Sequence, residues 1–369
     1  MRPTYAEINL SNLKSNLLQI RNIAKGKKIL AVVKADAYGH GMSECVAALN
    51  SLGNQKPDYY GVSSIDEAMI LRQICKIETP ILDFSMLNFS TVNHYVEYKV
   101  IPTVSVDDDI RILQSLGGKE IKVHANIDTG MGRIGVKHYN AVNFLKKITE
   151  IPGVTLDGVY THYATADEED KSFSNIQLER FKNVLIELKN EGINYGVVHA
   201  NNSSAILEIS DSIFDMIRPG IILYGVSPSE RTDGKMLLKQ VMSLKSKVSG
   251  IKNILKGESV SYGRMFIAKQ ETNIAIVPIG YADGYDRELS NNIYGIINGK
   301  KYPQIGRITM DTVMFDIGFD DIKAGDDIVL LGEQGGQKVT VWDWTRIMKT
   351  IPYEVMCGIS KRVKRIYKN

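Results

Sequence analysis

Lys34 closes an apolar run, Ile29-Leu30-Ala31-Val32-Val33, and Tyr38, Gly39 and Gly41 follow shortly after it. A continuous run of this kind suits a strand buried on both faces. A lysine at the carboxyl end of such a strand has an apolar floor under its stem. Partial desolvation lowers its pKa and frees the amine for Schiff-base or proton-transfer chemistry. Taken alone, Val-Val-Lys more often describes a surface lysine whose stem lies along apolar neighbours. Four other stretches decide between these, each following an apolar run of its own. They are Asp128-Thr129-Gly130-Met131-Gly132-Arg133-Ile134-Gly135, Thr161-His162-Tyr163-Ala164, His199-Ala200-Asn201-Asn202-Ser203 and Arg218-Pro219-Gly220-Ile221.

The elements that must position these residues alternate regularly. Strand-like runs fall at 29–33, 59–62, 81–84, 100–104, 121–127, 154–160, 195–198 and 213–217. Helical patterns lie between most of them, at 43–52, 65–74, 90–98, 107–116, 139–149, 173–190 and 203–208. Eight strands alternating with helices predict a (β/α)₈ TIM-type barrel over residues 11–235, with a doubly wound open sheet as the competing topology. Beyond Lys235 the helical period fades. Short alternating strands with Gly and Asn turns, such as Asn298-Gly299, predict a mostly-β domain over 236–369, joined by an N-terminal strand within 1–10. The polar stretch 227–235 reads as the linker.

A barrel carries its site at the carboxyl ends of its strands. Useful polar residues end five of the eight predicted strands, which isolated loop caps do not explain. The loops after the seventh and eighth strands are also where barrels commonly hold a phosphate. Asn202-Ser203 opens a helix and Pro219-Gly220 precedes another short segment, so both can offer N–H groups to an anion. A lysine at one strand end and a phosphate cradle at others suggest pyridoxal phosphate. Gly130-Met131-Gly132-Arg133-Ile134-Gly135 also fits G-x-G-x-x-G. It follows the fifth strand rather than the first, which weakens a dinucleotide reading.

The remaining composition is ordinary. The chain has 369 residues, 44% hydrophobic and 24% charged, with a net charge of +3. That balance is too mild to imply nucleic-acid binding, and the basic stretch 361–365 reads as a solvated final strand or tail. Three scattered cysteines outside any C-x-x-C pair indicate neither a disulfide framework nor a metal site. No signal peptide or membrane-spanning run is present, so a cytoplasmic setting is expected.

Lined up in order, AVVKADAYGHG, DTGMGRIG, THYATAD, RPGIILYG, VSYGRMF, GYADGYDR, GRITMD and IPYEV resemble the alanine racemases over essentially the whole chain. The resemblance implies a pyridoxal 5'-phosphate-dependent isomerase with barrel and β domain, a homodimer sharing its active site between subunits, and D-alanine supply for peptidoglycan. It implies that Lys34 holds the cofactor covalently and is the base on one face of the substrate. Tyr262, delivered from the second subunit, would be the base on the other. Arg218 would meet the pyridine nitrogen, leaving it unprotonated because arginine stays charged. His162 would pack on the ring and His199 would support Arg218. Tyr38, Ser203, Gly220, Ile221 and Tyr353 would gather the phosphate beside Asn202. Arg133 would reach the ring's phenolic oxygen and, with Met310, the substrate carboxylate. Tyr281 and Asp311 would line the mouth of the site.

One position departs from the family. Asn126 stands where many members carry a carbamylated lysine that steadies the arginine corresponding to Arg133, so a chloride near Asn126 and Arg133 is expected instead. Serine or broad-specificity racemisation is the near alternative. A non-catalytic pyridoxal phosphate-binding protein and a nicotinamide dehydrogenase are the alternatives of other classes.

Overall fold

The computed structural model describes residues 2–209 and 213–369. The chain divides into two units. One is formed by Leu13–Ala37 and Met42–Lys239, the other by Met1–Asn12, Tyr38–Gly41 and Gln240–Asn369.

The first unit is a closed barrel of eight parallel strands: β1 (Lys28–Val32), β2 (Tyr59–Val62), β3 (Ile81–Asp83), β4 (Val100–Val104), β5 (Ile121–Asp128), β6 (Val154–Tyr160), β7 (Val197–His199) and β8 (Met216–Ile217). Pairing of β8 with β1 and of β4 with β5 closes the ring and settles the topology as a barrel rather than an open sheet. β2, β3 and β4 are buried at every position, which is why they read as unbroken apolar runs. Helices follow most strands, and two starts are capped by side chains. Ser64 accepts from the Glu67 N–H, and Asn202 accepts from the Ala205 N–H.

One local feature was not expected from sequence. The helix expected at 43–52, opened by the two glycines, is present at Met42–Asn50, but the residues that lead into it from Lys34 are not simple loop. Ala35, Asp36, Ala37 and Tyr38 instead form a left-handed turn, with φ of 53°, 52°, 54° and 54°. Each such residue costs about 1–2 kcal/mol, because Cβ crowds the following carbonyl. Within the barrel unit, three hydrogen bonds hold the turn. Ala35 N–H donates to Glu67 Oε1 (2.7 Å), Ala37 N–H donates to the Val33 carbonyl (2.8 Å), and Met42 N–H donates to Asp36 Oδ1 (2.8 Å). Ala35 is exposed, so Ala35→Gly removes strain without removing packing. Strain relief of about 1–2 kcal/mol against an unfolded-state entropy cost of about 0.5–1 kcal/mol predicts a net gain of roughly 0.5–1 kcal/mol. A denaturant melt checks this, and a destabilised variant would contradict it.

The second unit is mostly β. Its strands β9 (Met242–Lys247), β10 (Gly250–Ile254), β11 (Thr272–Val277), β12 (Tyr294–Ile297), β13 (Lys300–Ile305), β14 (Val313–Gly318), β15 (Asp327–Gln334) and β16 (Lys364–Lys368) run in the order β10-β11-β14-β13-β12-β15-β9, followed by the N-terminal strand Tyr5–Asn9 and then β16. The basic stretch is partly structural: Arg365 donates to the carbonyls of Gly39, Ile359, Ser360 and Val363. Gly39 is required where it stands, because φ is +79° and a Cβ would lie 2.5 Å from the Met356 carbonyl oxygen. The stretch read as a linker belongs to the barrel unit, and the chain enters the β unit at Gln240.

Candidate active site

The carboxyl ends of β6, β7 and β8 converge on one side chain. Arg218 follows β8 and is 3% exposed. Its Nη1 donates to His199 Nδ1 at 2.8 Å, and its Nη2 donates to the carbonyls of Thr161 (2.7 Å) and Ala200 (3.0 Å). His162 Nδ1 stands 3.3 Å from the same Nη2. The guanidinium also lies 5.2 Å from the centre of the Tyr160 ring, and that ring stacks on His199 at 4.8 Å. All these partners are neutral. No carboxylate pairs with Arg218 among the described residues, which is unusual for a buried cation. Burial brings its pKa down to about 10, so it stays charged at neutral pH. A guanidinium has five N–H donors. Nε–H and the second Nη1 proton have no acceptor among the described residues, so they remain available to a bound acceptor.

Lys34 belongs to the same neighbourhood. It is half-buried just beyond β1. The end of β1 is fixed by Val32, whose N–H donates to the Pro219 carbonyl (3.0 Å) and whose carbonyl accepts from the Tyr224 hydroxyl (2.9 Å). Burial first, then the positive charges of Arg218, Arg133 and Lys34, push the His162 imidazole well below its ordinary value. His162 is therefore neutral at neutral pH, with three cations acting on it. Three cations acting on one imidazole suit a ligand with two anionic groups, such as a phosphate and a carboxylate.

The loops after β7 and β8 are tied together by Ser203, whose hydroxyl accepts from the Gly220 N–H at 2.8 Å. Asn202 caps the helix that Ser203 begins, and its Nδ2 lies 3.3 Å from His162 Nε2. Ile221 starts a short 3₁₀ turn. These residues, predicted as a cradle, are brought together on one face of the barrel unit.

The glycine-rich loop after β5 behaves differently from a dinucleotide motif. Asp128 Oδ1 accepts from the N–H groups of both Gly130 and Gly132 at 3.0 Å, and Oδ2 accepts from Lys137 at 2.5 Å. Those N–H groups are thus occupied by the protein's own carboxylate. A short strand, Val136–Lys137, follows where the motif needs a helix. The loop presents Arg133, which is exposed and has no ion-pair partner among the described residues. Asn126 is 8% exposed and donates to the Ile134 carbonyl at 3.3 Å.

The loop after β6 is anchored by a buried carboxylate that sequence reading overlooked. Glu208 pairs with Arg231 (2.8 Å), Lys171 (3.1 Å) and Lys235. Lys171 and Arg231 in turn donate to the carbonyls of Ala166 and Asp167. Burial alone would raise the Glu208 carboxyl, but the hydrogen bonds from Lys235, Arg231 and Lys171 outweigh it and bring the pKa down from 4.5 to about 2. A folded pKa below the unfolded one adds stability that is present above 4.5 and lost as pH falls towards about 2. Glu208→Gln should flatten that acid limb of thermal stability; a limb unchanged by the substitution would contradict the assignment.

Within the β unit, Tyr38 and Tyr353 lie with ring centres 5.9 Å apart. Burial, with smaller contributions from Tyr353 and Cys357, pushes the Tyr38 hydroxyl well above its ordinary value, so it remains a donor. Tyr262 sits in the turn of a small hairpin (Ser259–Val260 with Phe266–Ile267), between positive-φ residues Ser261 (67°) and Gly263 (70°). Its side chain is 72% exposed. Tyr281 and Met310 are also exposed and adjacent, since Tyr281 and Ala282 donate to the Thr309 and Met310 carbonyls. Asp311 pairs with Arg362 at 2.6 Å.

Sequence reading also missed His124 and Asp157. A histidine in the middle of a buried strand and a glycine on the neighbouring strand were the available signals.

The comparisons agree on one family. The family model "Alanine racemase, N-terminal domain" matches residues 8–228, and "Alanine racemase, C-terminal domain" matches residues 241–367. The chain is 41% identical to an alanine racemase of Clostridium novyi, over 100% of this chain and 96% of that protein. It is 39% identical to alanine racemase 2 of Caldanaerobacter subterraneus, over 100% and 95%. Among solved structures, an alanine racemase of Clostridium difficile superposes with a TM-score of 0.93 at 38% identity, covering 99% of this chain and 96% of that one. One from Bacillus anthracis, with bound L-Ala-P, gives 0.92 at 34% identity, covering 100% and 96%.

Proposed function

The chain belongs to the alanine racemase family of isomerases, and from that premise we propose that it interconverts L- and D-alanine by a two-base mechanism with pyridoxal 5'-phosphate covalently held on Lys34. The observation that carries this reading is the buried Arg218, which has two unused donors and no carboxylate partner among the described residues, and which acts together with Lys34 on His162. The donors of the barrel unit fit the group: an amine to bond the aldehyde, a permanent cation for an unprotonated ring nitrogen, and Ser203, Gly220 and Ile221 for the phosphate, to which the family resemblance adds Tyr38 and Tyr353. When bound, pyridoxal phosphate supplies the electron sink that makes the α-proton of the amino acid removable.

The protein's own groups then divide the work. Lys34 Nζ takes or returns the proton on one face of the substrate α-carbon. Tyr262 Oη does so on the other, from the second subunit of a homodimer, and its exposure in a single chain supports that assignment. Arg218 would hold the ring nitrogen through an N–H donor and, remaining charged, would have no proton to give it. The bound group would then withdraw electrons only weakly, which would favour return of the proton to the α-carbon over transamination. His162 is neutral and lies alongside, and His199 holds Arg218. Arg133, with the Met310 backbone, orients the substrate carboxylate, while Tyr281 and Asp311 shape the approach. A chloride beside Asn126 and Arg133 supplies the counter-charge that asparagine cannot. The product serves cell-wall peptide synthesis, and the bulk of Tyr353 favours alanine over serine.

Two experiments test this reading. Borohydride reduction of the yellow protein should place the label on the Lys34 peptide; a label on another lysine would overturn the assignment. Arg218→Glu should lower racemisation by roughly 10²-fold or more and raise the share of turnovers ending in pyruvate. An unchanged partition would contradict the role given to the arginine.

A further inference from the structure

The hydrogen-bond chain behind Arg218 has only one consistent proton arrangement. Arginine donates and never accepts, so His199 Nδ1, 2.8 Å from Arg218 Nη1, carries a lone pair. The proton of neutral His199 is then on Nε2, which lies 3.0 Å from His124 Nδ1. His124 Nδ1 must accept it, and the His124 proton is in turn on Nε2. That N–H has no hydrogen-bond partner within bonding distance. Instead it faces Asp157 Oδ2 at 3.7 Å, while Asp157 Oδ1 is held by Lys122 Nζ at 2.9 Å. Both imidazoles are fully buried and are kept neutral, by burial first. The approach of His124 and then of Lys122, against the opposing effect of burial, brings the Asp157 carboxyl down to about 2, so it is an anion at neutral pH. Asp157 forms part of the wall of a surface cleft of about 550 Å³ together with Lys122 and Arg72, which keeps that charge partly hydrated.

The neighbouring backbone is shaped for this arrangement. Gly158 is the register partner of His124, at an irregularity in the β5–β6 pairing. A Cβ on Gly158 would lie 2.5–2.7 Å from three ring atoms of His124. Its φ is not in the left-handed region, so space for the imidazole, rather than backbone freedom, is what this glycine provides.

We propose that His124, oriented by Asp157, is a positioning residue for the racemase reaction. By accepting the Nε2 proton of His199 it locks the tautomer that keeps a lone pair towards Arg218, and so fixes where the two unused arginine donors point. Without that lock, a tautomer shift of His199 turns an N–H on the guanidinium and displaces it. The inference rests on Arg218 serving the bound ring as proposed above.

The test uses ¹⁵N-histidine-labelled holoenzyme and long-range ¹H–¹⁵N correlation spectra, assigned through single histidine variants. In the wild type, His124 and His199 should both be neutral with the proton on Nε2. A His199 that is cationic or protonated on Nδ1 overturns the proposal. His124→Phe keeps an aromatic plane and removes the acceptor. It should move the His199 signals off the single tautomer and lower kcat by about tenfold with KM within about twofold, a loss of hydrogen-bond size. His124→Gln can accept from His199 with its carbonyl and donate to Asp157 with its amide. It should keep the tautomer and restore kcat to within about threefold of wild type. If the phenylalanine variant does not fold, Asp157→Ala provides the second reading, in which His124 loses its single-tautomer signature. Equal kcat in His124→Phe and wild type, or a glutamine variant no better than phenylalanine, overturns the positioning role. The tautomer spectrum does not depend on how Arg218 meets the cofactor, so failure of the relay and failure of the proposed function are told apart.

Discussion

Lys34→Ala is expected to lower racemisation by at least about 10⁴-fold, because one substitution removes both the covalent anchor and one of the two proton-transfer groups, and a positioned acid–base group alone contributes about 10²–10⁴. The fold should survive. Lys34 is only half-buried, and the surrounding turn is held by Glu67, Asp36 and Val33 through backbone N–H groups that the substitution leaves in place. The variant should also lose the visible absorbance that survives dialysis of the wild type. Retention of turnover within about tenfold would remove Lys34 from the chemistry.

Tyr262→Phe is expected to cost about 10²–10⁴ in kcat for racemisation in both directions, by deleting one proton-transfer group. Its effect on stability should be small, within about 0.5 kcal/mol, because the side chain is 72% exposed and its hydroxyl has no hydrogen-bond partner among the described residues. The pairing of a large kinetic effect with an unchanged melt is the diagnostic feature. Chirality makes the prediction sharper: exchange of the α-proton with solvent from one enantiomer should persist longer than conversion to the other, because Lys34 can still serve its own face. A phenylalanine variant that racemises normally would leave the reaction with a single base.

Much of the barrel was legible because its strands are buried on both faces and bounded by helical periods. The expected strand at 59–62 and the one at 154–160 coincide with β2 and β6. Five strand ends carried polar residues, and their convergence could be anticipated from the geometry of any closed parallel barrel. What sequence could not reveal depends on contacts distant along the chain. Little in Ala35-Asp36-Ala37 signals a left-handed turn, since Ala rarely adopts positive φ and Asp does so as a single residue rather than in a run. Gly39 and Gly41, which follow this stretch, pointed only to the helix beyond it. His124 looked like any histidine in a strand until the barrel closed and brought His199, from β7, to within 3.0 Å of it. Glu208 likewise acquires its meaning only from Lys171, Arg231 and Lys235, which come from two separate loops. The glycine-rich motif misled in the opposite direction, because pattern alone does not show that Asp128 occupies its N–H groups.

The central claim is that Lys34 of one subunit works with Tyr262 of the other. Co-expression of Lys34→Ala and Tyr262→Phe chains tests it most directly. Each variant alone forms homodimers lacking one base at every site. Random pairing at equal expression makes half of the dimers mixed, and each mixed dimer has one site with both residues intact, so activity should return to about one quarter of wild type. Activity no greater than the mean of the two variants alone, in a preparation shown by mass spectrometry to contain mixed dimers, would contradict a shared site.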